Sequence, residues 1–165
     1  MNNLFKGGII AVTLLIQLTI LNSFTLQGLK PDLILIVVIV FALVKGAGEG
    51  GIVGFGSGLL QDIFSVGLLG VNAFVKTVVG FLCGILKERI FVEHILFIIP
   101  LITLLVSIVE NGLIFLVLRA FGMEYSDLIL NLKQIIIPEA FYNSILSPFI
   151  YLGVKKLLQI IDDKF

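Results

Sequence analysis

The sequence predicts an all-α membrane protein with six transmembrane helices. Of its 165 residues, 59% are hydrophobic and 13% are charged, which is more apolar surface than a soluble domain can bury. Several apolar runs approach the roughly 20 residues that a helix needs to cross the hydrocarbon core of a bilayer. The chain is therefore predicted to form one polytopic membrane domain over residues 1–165.

The spans are predicted in order from the apolar runs and the proline residues. No small-residue cleavage site follows the first run, so it is interpreted as a retained helix and not as a signal peptide. Pro31 favours the first turn of the second span, and Pro100 predicts a kink in the fifth. A short surface helix is predicted over residues 121–133. The spans are predicted at about 8–26, 32–44, 49–64, 70–86, 92–118 and 134–153.

The third span carries glycines at four-residue intervals. In water such a helix would lose roughly 1 kcal/mol per glycine relative to alanine. In a bilayer the backbone keeps its internal hydrogen bonds, and a bare stripe lets a neighbouring helix approach closely. The stripe is therefore predicted to be a helix-packing face made of Gly46, Gly50, Gly54 and Gly58.

Loop charges predict that both termini are cytoplasmic. With this orientation, the inner side holds Lys6, Lys45, Lys87, Arg89, Lys155, Lys156 and Lys164, and the outer side holds Lys30, Arg119 and Lys133. This asymmetry follows the positive-inside rule. The formal net charge of zero argues against a nucleic-acid partner.

In this orientation, five ionisable side chains fall in the outer half of the membrane. Charged groups at that depth are costly unless they face each other or a wet cavity. One interpretation is a polar vestibule that opens outward, and the other is a set of interfacial residues that only extend to water. The candidate partner- or ligand-contact residues are Asp32, Gln61, Asp62, Lys76, Glu110, Asn111, Glu139 and Asn143.

The residue pattern does not favour catalysis. No nucleophile lies beside a base, and the chain lacks the ligand spacing of a zinc site and a phosphate-binding loop. Cys83 is the only cysteine and His94 the only histidine. The sequence therefore predicts a protein that is not an enzyme, with no catalytic residues, no metal ligands and no cofactor.

Two segments resemble the MreD family of rod shape-determining membrane proteins. The last span is similar to the carboxy-terminal pattern of that family, and the glycine-rich span with its flanks carries the more specific likeness. The matching residues are Pro31-Asp32-Leu33, Gly50-Gly51, Gly54-Phe55-x-x-Gly58-Leu59-Leu60-Gln61-Asp62, Gly67-x-x-Gly70, Pro138-Glu139-Ala140-x-Tyr142-Asn143, Pro148 and Tyr151.

This resemblance implies a non-enzymatic scaffold of the bacterial cell-wall elongation complex, located in the plasma membrane. The implied partners are the single-span protein MreC, a RodA-type glycosyltransferase, an elongation transpeptidase and MreB filaments. The family also resembles the substrate-binding subunits of energy-coupling-factor transporters, so the alternative function is a vitamin-binding transporter subunit. Those subunits usually carry an Ala-x-x-x-Ala patch in their first helix, to which Gly7 and Ala11 are the nearest approximation.

Overall fold

The computed structural model describes Gly8 and residues 30–65, 67–87, 95–122 and 132–164. Within these ranges the chain is all-helical. The helices are α1 (Leu33–Lys45), α2 (Ala47–Phe64), α3 (Val71–Leu86), α4 (Ile95–Ala120) and α5 (Ile137–Lys164), and a π-helical segment (Leu132–Ile136) leads into α5. The predicted first span and most of the predicted surface helix lie outside the described residues.

The five described helices lie where the second to sixth spans are predicted, and the largest difference is at the end of α5. A span is predicted to end near residue 153, whereas the helix continues to Lys164. The apolar period persists beyond 153, and Val154 and Leu158 are buried against the other helices. Pro100 and Pro148 lie inside α4 and α5, and both helices continue past them.

Length and composition make two of the described helices able to cross a membrane. These are Ile95–Ala120 and the segment Gln134–Gln159, while α1 and α3 are apolar but shorter. The six-span arrangement therefore stays a prediction. The helix α1 lies at the centre of the bundle, where every residue from Ile34 to Leu43 is buried.

A single residue connects α1 to α2, and the two helices run antiparallel. Gly46 separates them with φ of +101°, a conformation that favours glycine. Gly46 is predicted to belong to the packing stripe, but this residue lies in the connection between the helices. A Cβ built at Gly46 would be 3.8 Å from Lys87 Cδ, which is an ordinary van der Waals contact. Glycine is required at position 46 by the backbone conformation of the turn and not by a close contact with another helix.

The other three glycines of the stripe lie against α3. A Cβ at Gly50 would be 2.4 Å from the Gly80 carbonyl oxygen, one at Gly54 would be 2.2 Å from the Lys76 carbonyl oxygen, and one at Gly58 would be 2.5 Å from the Asn72 carbonyl oxygen. The backbones of α2 and α3 therefore approach too closely for any side chain at these positions.

The opposing helix α3 contributes its own small residues to the same interface. A Cβ at Gly80 would be 2.2 Å from the Gly50 carbonyl oxygen, and one at Gly84 would be 2.3 Å from the Ala47 backbone. Gly80 and Gly84 are not part of the predicted helix-packing face, although they have the same four-residue spacing as the glycines of α2. The α2–α3 interface is thus a reciprocal contact between two small-residue faces.

Candidate functional site

The side chain of Lys76 lies at the centre of a buried cluster of charged residues. It is 0% exposed, and its Nζ donates to Asp32 Oδ2 at 2.6 Å and to Glu110 Oε1. Asp32 precedes α1, Lys76 lies in the second turn of α3, and Glu110 lies in the middle of α4. The ion pairs therefore join three helices at one depth in the bundle.

Asp32 also organises the start of α1. Its Oδ1 accepts from the backbone N–H of Leu35 at 3.0 Å, which is the hydrogen bond of a helix N-cap. Its Oδ2 accepts from Gln61 Nε2 at 3.4 Å, and its backbone N–H donates to Asn143 Oδ1 at 2.8 Å. One carboxylate thus caps α1, pairs with Lys76 and links α1 to α2, while the backbone of the same residue links α1 to α5.

Polar side chains extend the cluster along the interface between α4 and α5. Asn143 Nδ2 donates to Ser107 Oγ at 3.1 Å, and Asn111 Nδ2 donates to the Ser107 carbonyl at 3.0 Å. The carboxyl group of Glu139 on α5 lies beside the side chain of Asn111 on α4. Because Asn143 contacts both Asp32 and Ser107, the charged cluster and this interface form one connected network.

Asp62 does not belong to this network. Its Oδ2 accepts from the backbone N–H groups of Gly70 at 2.9 Å and Ala73 at 3.0 Å. Its Oδ1 accepts from the backbone N–H of Asn72 at 3.1 Å and from Asn72 Nδ2 at 2.8 Å. The expectation that Asp62 faces a vestibule shared with Lys76 therefore needs correction, because its carboxylate is used in holding the N-terminus of α3, where a negative charge is favourable.

Exposure differs across the network. Lys76, Glu110, Ser107 and Asn143 are buried, with at most 2% of each residue exposed. Gln61, Asn111 and Glu139 are half-buried. A partly exposed edge of the network is therefore formed by Asn111 and Glu139, which lie beside each other, and Glu139 is the ionisable member of this pair.

The network contains more acceptors than the described donors satisfy. Two carboxylates, those of Asp32 and Glu110, contact the single ammonium of Lys76, and the carboxyl group of Glu139 lies near all three groups. Among the described residues, buried Gln61 Oε1 and Thr103 Oγ1 have no hydrogen-bond partner. An arrangement of this kind favours a further donor, such as a water molecule or a basic side chain.

The sequence contains two other residues with reactive side chains, one cysteine and one histidine. Cys83 is buried, and His94 lies outside the described residues. Within the described ranges, no group of three or more histidine, cysteine, aspartate or glutamate side chains could hold a metal ion.

Sequence reasoning missed Asn72, which supplies two of the four hydrogen bonds to Asp62. A signal was available, because Asn72 follows Gly70 in the turn that opens α3, where backbone N–H groups lack helical partners. It also did not select Ser147, which is buried and donates to the Ser144 carbonyl at 2.8 Å. Four-residue spacing places Ser147 on the same helical face as Asn143.

Comparison with known proteins identifies the family. The model of the rod shape-determining protein MreD matches residues 3–161 of the chain. No curated protein and no solved structure matches it, so the likeness to transporter subunits stays without support. The matching segment includes every residue of the charged network, and the family is one of membrane proteins that determine rod cell shape. The chain belongs to the MreD family of rod shape-determining proteins.

Proposed function

We propose that this protein is a non-enzymatic scaffold of the cell-wall elongation complex that binds an MreC-like single-span protein. Membership of the MreD family supports this role. In this proposal the protein crosses the bacterial plasma membrane several times with both termini in the cytoplasm. A RodA-type glycosyltransferase, an elongation transpeptidase and MreB filaments would associate with the same complex.

The observation that carries the choice of contact site is the partly exposed edge of the charged network. Glu139 lies at this edge beside Asn111, while the deeper Lys76 is already paired with Asp32 and Glu110. A partner that offers a basic or hydrogen-bonding side chain would match the excess of carboxylates. Gln61 on α2 is also half-buried and has an unpartnered buried oxygen.

The experiment is complementation of a rod-shaped bacterium depleted of its own MreD, combined with co-purification of the MreC-like partner. Glu139→Gln replaces the ionisable carboxyl group with an amide and retains the shape of the side chain. We expect it to weaken partner capture and to give rounded cells at normal protein levels. The matched control is Glu49→Gln, which alters a carboxylate in the first turn of α2, and we expect it to retain rod shape.

A second variant tests the same edge of the network. Asn111→Leu removes the amide beside Glu139, and we expect it to weaken partner capture in the same way. If Glu139→Gln and Asn111→Leu both support rod shape and normal capture, the edge of the network is not the contact site. If Glu49→Gln is the one variant of the three that loses partner capture, the contact lies near the start of α2 and not at the edge of the network.

A further inference from the structure

The described helices fall into two groups by length. The helices α1, α2 and α3 contain 13, 18 and 16 residues, so they are about 20, 27 and 24 Å long. The helices α4 and α5 contain 26 and 28 residues, which corresponds to about 39 and 42 Å. The hydrocarbon core of a typical bilayer, about 30 Å thick, lies between the two groups.

The exposed apolar surfaces differ in the same way. Large exposed apolar side chains run from Ile52 to Phe64 on α2 and from Phe74 to Leu86 on α3, and each interval is about 18 Å long. On α4 they run from Leu96 to Leu116, and on α5 from Ile137 to Leu157, intervals of about 30 Å each. The α4–α5 surface therefore matches an ordinary bilayer, and the α2–α3 surface is shorter than one.

We propose that α2 and α3 form a lipid-facing surface at which the bilayer is locally thinner than at α4 and α5. The inference rests on the proposed embedding of these helices in the membrane. A short helix cannot correct its mismatch by tilting, because tilting reduces the thickness that it spans. Glu49 in the first turn of α2 and Lys87 after α3 favour a water interface close to that end of both helices.

An apolar cavity lies at the boundary between the short helices and the long helices. A cavity of about 490 Å³ lies between the start of α3 and the end of α4 and is lined by Leu68, Leu69, Gly70, Val71, Phe74, Val117, Ala120 and Phe121. None of these side chains is charged or hydrogen-bonding. The cavity therefore offers apolar surface to lipid acyl chains at the place where the short and long helices meet.

The chain contains no tryptophan, so an introduced tryptophan reports on its own surroundings. Phe55→Trp on α2 and Leu105→Trp on α4 form a matched pair, because the two side chains are 53% and 54% exposed. Each variant is reconstituted into mixtures of 14-carbon and 18-carbon phosphatidylcholine in which either lipid is brominated. Fluorescence quenching then gives the relative affinity of the two lipids for each surface.

We expect the shorter lipid to be preferred at Phe55→Trp, by roughly twofold or more relative to its preference at Leu105→Trp. Phe81→Trp on α3 and Phe141→Trp on α5, from side chains that are 49% and 56% exposed, provide a second pair if one variant folds poorly. Equal lipid preference within both pairs would refute the thinning and leave the embedding intact. If brominated lipid quenches Leu105→Trp but not Phe55→Trp or Phe81→Trp, the proposed embedding is wrong and the inference is wrong with it.

Discussion

The α1–α3 unit and the α4–α5 pair hold their helices together in different ways. In the first unit, the glycines of α2 and α3 bring two backbones so close that a Cβ at Gly54 would be 2.2 Å from the Lys76 carbonyl oxygen. In the second pair, hydroxyl and amide groups connect the helices, as Asn143 does to Ser107 and Ser144 to Pro100. Apolar helices have little hydrophobic reason to associate in lipid, so close packing and hydrogen bonds are the available means.

The charged network connects these two parts. Lys76 belongs to α3, and its partners Asp32 and Glu110 belong to α1 and α4. Each part therefore has its own internal contacts, and the buried ammonium group of Lys76 is one of the polar groups that connect them, together with the amide of Asn143. The variants below weaken the contacts within each part or the connection between them.

The largest effect is expected from Lys76→Met, which leaves two carboxylates buried without their cation. Breaking a buried ion pair in this way typically costs about 3–5 kcal/mol. We expect a marked fall in thermal stability of the purified protein, monitored by circular dichroism in detergent. The control is Lys87→Met at the exposed end of α3, which should change stability by no more than about 0.5 kcal/mol.

A double variant shows whether the loss comes from the uncompensated charge. Glu110→Gln added to Lys76→Met removes one of the two buried carboxylates, so part of the lost stability should return. If the double variant is less stable than Lys76→Met alone, the ion pairs do not account for the effect of the single change. Equal stability of Lys76→Met and Lys87→Met would mean that the network does not connect the two parts.

A smaller loss of thermal stability is expected from Gly54→Ala, which changes the glycine interface between α2 and α3. The added methyl group must push α3 away, and overpacking of this kind typically costs about 1–3 kcal/mol. Gly56→Ala is a close control, because a Cβ at Gly56 has nothing within 4 Å. Thermal unfolding of the two variants should therefore differ, and equal stability would contradict the close approach of α2 and α3.

How much of this arrangement the sequence predicts depends on the kind of contact. Apolar runs predict the positions of α1 to α5 to within a few residues, except at the end of α5. Loop charges place Asp32, Lys76, Glu110 and Glu139 at a similar depth, and the structure brings the first three together. The proximity of Asp32, Lys76 and Glu110 was therefore accessible from sequence, while the individual ion pairs and hydrogen bonds were not.

Asp62 and Gly46 show why the remainder was missed. The glycine spacing includes Gly46, but its role depends on a φ of +101°, which a spacing pattern does not reveal. Asp62 is predicted to lie at the same depth as the charged network, but the turn at Gly70 brings backbone N–H groups within reach of its carboxylate. Both errors concern turns, whose geometry depends on how the helices on either side pack.

Asp62→Ala tests the turn that connects α2 to α3. The change leaves the backbone N–H groups of Gly70, Asn72 and Ala73 without their acceptor, and losing a buried acceptor of this kind typically costs about 1–3 kcal/mol. Asp62→Asn retains an acceptor oxygen and should lose less. Stability measured by thermal unfolding should therefore rank wild type above Asp62→Asn and Asp62→Asn above Asp62→Ala. Equal stability of all three would mean that the carboxylate does not hold the start of α3.

The smallest effect is expected from Ser144→Ala, in the α4–α5 pair. The Ser144 hydroxyl donates to the Pro100 carbonyl at 2.8 Å, and interhelical hydrogen bonds in membrane proteins contribute on average about 0.6 kcal/mol. Many such contacts together, and not any single one, would then hold α4 against α5. Thermal unfolding of Ser144→Ala should shift far less than that of Gly54→Ala. A loss as large as that of Gly54→Ala would mean that one hydrogen bond supports the pair, and the contrast between the two parts would no longer hold.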